Sequence, residues 1–253
     1  MSKFRPKTPV EIQAMREGGK ILAETLLWLK EEKVVSGMST QDIDSYTREF
    51  FKKKGVEPVF LGYYGFTGVI CTSINDAVIH GVPNDKTIIQ EGDIVSLDCG
   101  LKHKGMIVDS ALTFGVGEIP EPTRLLLERT QKSLYKAIKA LKNGATTGDL
   151  GYAVENYIDQ FGYGIIRDYA GHGVGHSLHE DPTIPNYGVK GKGDTFITGM
   201  TIAIEPMITL GSEDVYIDAD DEWTVYTDDG SLSAHFEHTV LVTENGAEIL
   251  TQL

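Results

Sequence analysis

At 253 residues the chain is long enough to bury a substantial core and short enough to form one domain. Hydrophobic residues make up 41% and charged residues 24%, with a mean hydropathy of -0.15, which excludes disordered, fibrous and membrane-embedded classes. A formal charge of -14 opposes binding to nucleic acid or anionic lipid, and the longest basic run, Lys52, Lys53 and Lys54, reads as charge complementing a helix C-terminus. No apolar run reaches the roughly 18 residues of a membrane span, and the start, MSKFRPKTP, lacks the apolar stretch of a secretory leader. Cys71 and Cys99 are too few for a disulfide framework or a thiolate metal site, so a reducing, cytoplasmic setting is expected.

The first predicted helix covers 8–31, with Pro9 just inside its start and Ile12, Met15, Ile21, Leu22 and Leu26 at helical spacing. Ser39 caps a second, ending near Lys54 and Gly55. Shorter pieces rich in β-formers follow at 68–74, 93–101 and 106–116, separated by turn residues. After Pro120 and Pro122 the order recurs: helices over 123–142 and 146–161, then apolar strands over 201–210 and 234–243. The acidic stretch 213–229 reads as a solvated hairpin, with Trp223 in need of burial.

A shift of 107 positions lays 36–55 on 143–162 and matches Gly37 with Gly144, Thr40 with Thr147, Asp42 with Asp149 and Gly55 with Gly162. Together with the repeated element order, this predicts an α+β fold of two similar halves, roughly 9–117 and 121–245, packed as one domain over 1–253. A site at their junction is the natural expectation.

Asp98 in DIVSLDCG and Asp109 in MIVDSALTF lie in two apolar strands joined by a turn. A two-residue turn at His103 and Lys104 would set them directly opposite one another, where like charges destabilise the pair. A shared proton relieves that repulsion; a divalent ion relieves it more completely. Glu205 in MTIAIEPMIT and Glu237 in SAHFEHTVLV are also acidic residues within apolar runs. Either alone fits a solvent-facing strand, whereas four together, beside the glycine-spaced histidines of GHGVGHSLHE, point to a metal site. A zinc site of His172, His176 and His179 alone would leave the carboxylates unexplained.

In chain order NDAVIHGVP, the Asp98 and Asp109 pair, GHGVGHSLHE, IEPM and SAHFEHT resemble the methionine aminopeptidase family over nearly the whole chain. A similar histidine loop with two later glutamates occurs in the related proline-specific peptidases. The resemblance implies the pita-bread fold, two pseudosymmetric halves around a central antiparallel sheet with helices outside. It implies two divalent ions (cobalt, manganese, iron(II) or zinc), with Asp98 on one, His172 and Glu205 on the other, and Asp109 and Glu237 bridging. The implied activity is removal of the initiator methionine from nascent proteins when the second residue is small, by attack of a metal-bridged water on the scissile carbonyl. Glu205, His179 and His80 carry the catalytic roles, His80 and His179 contacting substrate. Phe60, Tyr63, Phe66, Cys71, Leu178 and Trp223 line the methionine pocket in that reading. Its partners are nascent N-termini, with transient ribosome contact, and it acts as a cytoplasmic monomer that binds neither nucleic acid nor membrane.

Four positions depart from familiar bacterial members: Phe60 for cysteine, Tyr64 for histidine, His176 for arginine and Leu178 for phenylalanine. They bear on pocket shape and second-residue preference rather than on the metal ligands. Only 32 positions separate Glu205 from Glu237, without space for the helical insertion of the family's second type, so the bacterial-like first type is implied. A proline-specific aminopeptidase would normally add an N-terminal domain. A non-catalytic binding protein on the same fold would usually have lost some of the five ligands, all of which are present here.

Overall fold

A computed structural model describes residues 5–253; the first four residues of the MSKFRPKTP start lie outside the described residues. Helix α1 (Pro9–Trp28) opens with Thr8 and Glu11 in a reciprocal capping box. It ends three residues earlier than its periodicity suggests and passes into a π-turn over Leu29–Lys33, closed by Val34 N–H on the Leu29 carbonyl at 2.8 Å. Helix α2 (Thr40–Lys54) is capped by Ser39 with Asp42 and stopped by Gly55 in the left-handed region, φ 68°. Helices α3 (Glu121–Ala140) and α4 (Thr147–Ile158) follow, α4 capped by Thr146 with Asp149. No helix among the described residues is long and apolar enough to cross a membrane.

The helices cover an antiparallel nine-stranded sheet whose main path runs Glu57–Pro58, Ile94–His103, Met106–Gly115, Glu237–Val242, Thr201–Ile204, Gly171–Gly173, Glu180–Ile184. Cys71–Ile74 adds to the Ile94–His103 strand and Ala247–Ile249 to the Glu237–Val242 strand. Two apolar cores lie under the helices. One packs Met15, Leu22, Ile43 and Phe51 against Leu97 and Leu101, the other Leu126, Leu134, Leu150 and Val154 against Ile202 and Val240, and Leu112 touches both.

The 107-position shift relates backbone bonds as well as residues. Gly37 N–H donates to the Ile89 carbonyl at 2.8 Å and Gly144 N–H to that of Phe196 at 2.9 Å; Thr40 N–H donates to Thr87 at 3.0 Å and Thr147 N–H to Asp194 at 2.9 Å. Isolated bridges Ser39 to Ile88 and Thr146 to Thr195 obey the same shift. Applied to Asp98, it gives Glu205. Each half therefore contributes one carboxylate from an equivalent strand.

Two strand expectations are corrected. The turn between Asp98 and Asp109 is formed by Lys104 and Gly105, not His103 and Lys104. Both carry positive φ, 48° and 83°, as the hairpin turn that matches strand twist requires, and glycine meets that demand where lysine at the second position would not. Asp98 therefore pairs with Ala111 and Asp109 with Gly100, so the two aspartates are diagonal neighbours on one face. Gly100 has a purpose there: a Cβ would lie 2.6 Å from Val59 Cγ2 and 3.3 Å from Asp109 Oδ1. The predicted strands 201–210 and 234–243 are each interrupted, after Ile204 and at Phe236, because Pro206 cannot continue the ladder. The interruptions face each other, Phe236 N–H reaching the Pro206 carbonyl at 3.4 Å.

At the junction of the halves, the Met106–Gly115 and Glu237–Val242 strands share only two register pairs, Ala111 with Glu237 and Ser110 with His238. Buried hydroxyls replace ladder bonds around them. Thr239 Oγ1 accepts Asp109 N–H at 2.9 Å and donates to the Asp109 carbonyl at 2.8 Å; Ser110 Oγ donates to the Glu237 carbonyl at 2.7 Å, and Thr113 Oγ1 to that of His235 at 2.7 Å. Thr239→Val keeps the shape but orphans a buried N–H, so we expect it to lower unfolding free energy by about 1–3 kcal/mol in urea titrations. An unchanged midpoint and slope would show that the seam does not depend on this hydroxyl.

Candidate metal centre

One cavity of about 270 Å³, at the junction of the two halves, collects the expected ligands and pocket residues: Asp98, Asp109, His172, Glu205 and Glu237 on its floor, with His80, His179, Phe60, Tyr63, Phe66, Cys71, Leu178 and Trp223 around it. It also includes Ile79, beside His80 within NDAVIHGVP, and Tyr169 and Ala170, just before GHGVGHSLHE.

Each carboxylate is placed by a strand feature already described. Asp98 and Asp109 share one face of a hairpin, Glu205 follows Ile204 where its strand breaks, and Glu237 opens the strand beyond the facing break. One donor atom each from Asp109, His172 and Glu237 falls within a 4.8 Å cluster. Glu205 stands between two imidazoles, Oε1 lying 3.4 Å from His172 Nε2 and Oε2 3.5 Å from His235 Nε2.

Burial raises the pKa of all four carboxyls, because the charged form loses its hydration. It pushes Asp109 up to about 7, against the Ser110 N–H that favours the carboxylate. Asp98, Glu205 and Glu237 are raised well above the ordinary carboxylate range by burial first and by neighbouring carboxylates second. The imidazoles move the other way, again chiefly by burial: His172 and His80 down to about 4, His235 to about 3, and His179 downward. The result is a knot of buried acids beside neutral imidazoles.

This donor set fits divalent ions. Asp98 Oδ1 and Glu237 Oε1 are buried without a hydrogen-bond partner, an arrangement too costly to persist unless something cationic completes it. His172 Nδ1 donates to the Gly173 carbonyl at 2.9 Å, which leaves the Nε2 lone pair free on the cavity side, as ligating histidines require. Carboxylates with one imidazole suit hard or borderline ions.

The histidine loop divides its labour. His176 turns away and bonds Glu11 Oε1 at 2.8 Å, tying the loop to the start of α1, and Glu180 receives Lys7 Nζ at 2.6 Å. His172 and His179 stay at the cavity, their rings edge to face at 4.3 Å. A three-histidine zinc site is thereby ruled out by geometry. His235, the second imidazole beside Glu205, lies within SAHFEHT but was missed as a site residue, because nothing in the motif distinguishes it from a core histidine of a β-strand. It is 1% exposed and neither ring nitrogen has a hydrogen bond.

The apolar wall is aromatic. Trp223 packs edge-on against Phe66 at 5.2 Å and against His80 at 6.0 Å, while Phe60 meets Phe66 at 6.4 Å. Cys71 pairs with Asp98 across the sheet, and burial holds its thiol protonated, so it contributes polarizable surface. His80 has a left-handed backbone, φ 58°, directly after the Ala77–Ile79 strand.

His172 is neutral above about pH 4, so the protons that a metal displaces come from carboxyls. Manganese added to chelator-treated protein at pH 6 is expected to release protons, seen as a buffer-dependent binding enthalpy. Affinity should tighten as pH rises through about 7, where Asp109 gives up its proton. Affinity independent of pH would contradict this electrostatic picture.

The model of metallopeptidase family M24 matches residues 13–244. A methionine aminopeptidase of Clostridium acetobutylicum is 45% identical over 245 residues, covering 97% of both chains, and methionine aminopeptidase 1 of Bacillus subtilis is 44% identical with 98% of both covered. The crystal structure of the methionine aminopeptidase from Thermotoga maritima superposes with a TM-score of 0.95 at 45% identity, over 98% of this chain and 99% of that one. The prolidase of Pyrococcus furiosus is more distant, with a TM-score of 0.79 and 27% identity, and only 65% of its chain is matched. With its pita-bread fold, the chain belongs to metallopeptidase family M24, on the methionine aminopeptidase branch of its nearly full-length relatives.

Proposed function

We propose that the chain removes the initiator methionine from nascent proteins and peptides whose second residue is small, and that residues 1–253 work as one catalytic domain with halves 9–117 and 121–245. The observation that carries this reading is the meeting, in one cavity, of four buried carboxyls and a neutral imidazole with an aromatic, thiol-lined wall. Asp98, Asp109, His172, Glu205 and Glu237 would hold two divalent ions; cobalt, manganese, iron(II) and zinc all suit the donor set. When bound, such ions acidify water and polarise a carbonyl.

The chain's own groups do the rest. Glu205 takes the proton of the attacking water and returns it to the leaving amine, with His235 backing its second oxygen. His179, neutral through burial, donates to the carbonyl oxygen as negative charge gathers there, and His80 contacts the scissile amide. Phe60, Tyr63, Phe66, Cys71, Leu178 and Trp223, with Ile79 and Tyr169, receive the thioether side chain in a dry, polarizable recess. The cavity floor is anionic when ionised, which draws a free amino terminus and favours release of one residue at a time. We place this activity in the cytoplasm, on a monomer that meets new N-termini with transient ribosome contact.

The test is release of the first residue from Met-Ala-Ser and Ala-Pro-Ser by chelated protein resupplied with manganese, cobalt or iron(II). Metal-dependent release of methionine alone is expected; cleavage only before proline would move the assignment to the prolidase side. His179→Ala should keep its metal and lose roughly 10²–10³-fold in kcat, whereas Asp109→Ala should lose bound metal. Equal metal loss in both would overturn the division of roles.

A further inference from the structure

Tyr63 has a second feature that a pocket-lining role does not use: its hydroxyl lies 2.7 Å from Nδ1 of His179, with the rings 5.4 Å apart and inclined at 57°. We propose that Tyr63 is a positioning residue for the reaction, its hydroxyl donating to His179 Nδ1 and so fixing the imidazole in the tautomer that carries its proton on Nε2. This rests on the reading of His179 as the donor to the developing oxyanion. A neutral imidazole donates from only one nitrogen, and which one is set by the bond the other makes. If His179 instead donated from Nδ1 to the phenol, Nε2 would be a lone pair and would repel negative charge on the substrate. Among the described residues, Tyr63 is the one hydrogen-bond partner of the His179 ring.

The local chain is built to hold that contact. Tyr63 sits in a tight loop whose turns are closed by Tyr63 N–H on the Phe60 carbonyl, Phe66 N–H on that of Tyr63 and Gly62 N–H on that of Phe66, at 2.8–2.9 Å. Gly62 and Gly65 supply left-handed backbone, φ 82° and 93°, and Tyr64 between them is also left-handed, φ 45°. That conformation is costly for tyrosine, and Tyr64 buries little in return, being 85% exposed. What the conformation secures is the placement of Tyr63, against which the Tyr64 ring packs edge-on at 4.7 Å. Burial raises the Tyr63 phenol above its usual value, so it keeps the proton it donates.

The direct measurement is the ¹⁵N chemical shift of the His179 ring nitrogens in long-range ¹H–¹⁵N spectra of the zinc-loaded, full-length protein, assigned by signal loss in His179→Gln. We expect an unprotonated Nδ1 and a protonated Nε2 in the wild type, and averaging towards a tautomer mixture in Tyr63→Phe. With manganese, Tyr63→Phe should lower kcat on Met-Ala-Ser about tenfold, short of the 10²–10³-fold for losing a donor outright, with KM and metal content unchanged. A wild-type Nδ1–H tautomer, or the same tautomer and kcat in Tyr63→Phe, would overturn the role of Tyr63 while leaving methionine release intact. Absence of methionine release from the wild type would instead remove the reading of the site itself.

Discussion

The structure turns on four carboxyl groups buried together where two halves of one sheet meet. Coulomb repulsion between like charges a few ångströms apart is severe in a low-dielectric interior, and burial alone already drives these groups far from their ordinary ionisation. Protonation can relieve this, but it leaves Asp98 Oδ1 and Glu237 Oε1 without partners. Divalent cations resolve both problems together. The neutral His172, with one nitrogen tied to Gly173 and the other free, supplies a donor without adding another charge.

The rest of the fold serves that convergence. Related strands from each half present Asp98 and Glu205, and the facing breaks at Pro206 and Phe236 accompany the turn of Glu205 and Glu237 into the site. The seam holds although its ladder is short, because Ser110, Thr113 and Thr239 bond across it through buried side chains. A pair of helices covers each half, and the second of each pair, α2 and α4, starts on the same capping box and is followed by a left-handed glycine, Gly55 or Gly162. The helices stay outside, and the sheet carries the chemistry.

Much of this was legible in the residues. Capping boxes at Ser39 and Thr146 and the left-handed glycines 55 and 162 are local signals, set by a few neighbours, and they mark the helices within a few positions. Acidic residues inside apolar strands are conspicuous because burying them is expensive. The hairpin register was not legible from hydrophobicity, since both candidate turns keep the two aspartates on one face; backbone dihedrals decided in favour of Lys104 and Gly105. Ile79 pairs with Val225 and His235 with Met207, contacts between distant parts of the chain that NDAVIHGVP and SAHFEHT do not announce, and Tyr169 reaches the cavity from the loop before the Gly171–Gly173 strand. The bond from Tyr63 to His179 spans 116 positions and depends on the left-handed loop around Tyr64, an unusual conformation that sequence patterns do not encode.

The measurement closest to the central claim is anomalous diffraction from crystals soaked in manganese. Two peaks in the cavity, one contacted by Asp98, one by His172 and Glu205, and both by Asp109 and Glu237, are predicted, with the orphaned oxygens of Asp98 and Glu237 now engaged. Density showing the four carboxyls sharing protons with no ion among them, at a manganese concentration that supports methionine release, would contradict the account.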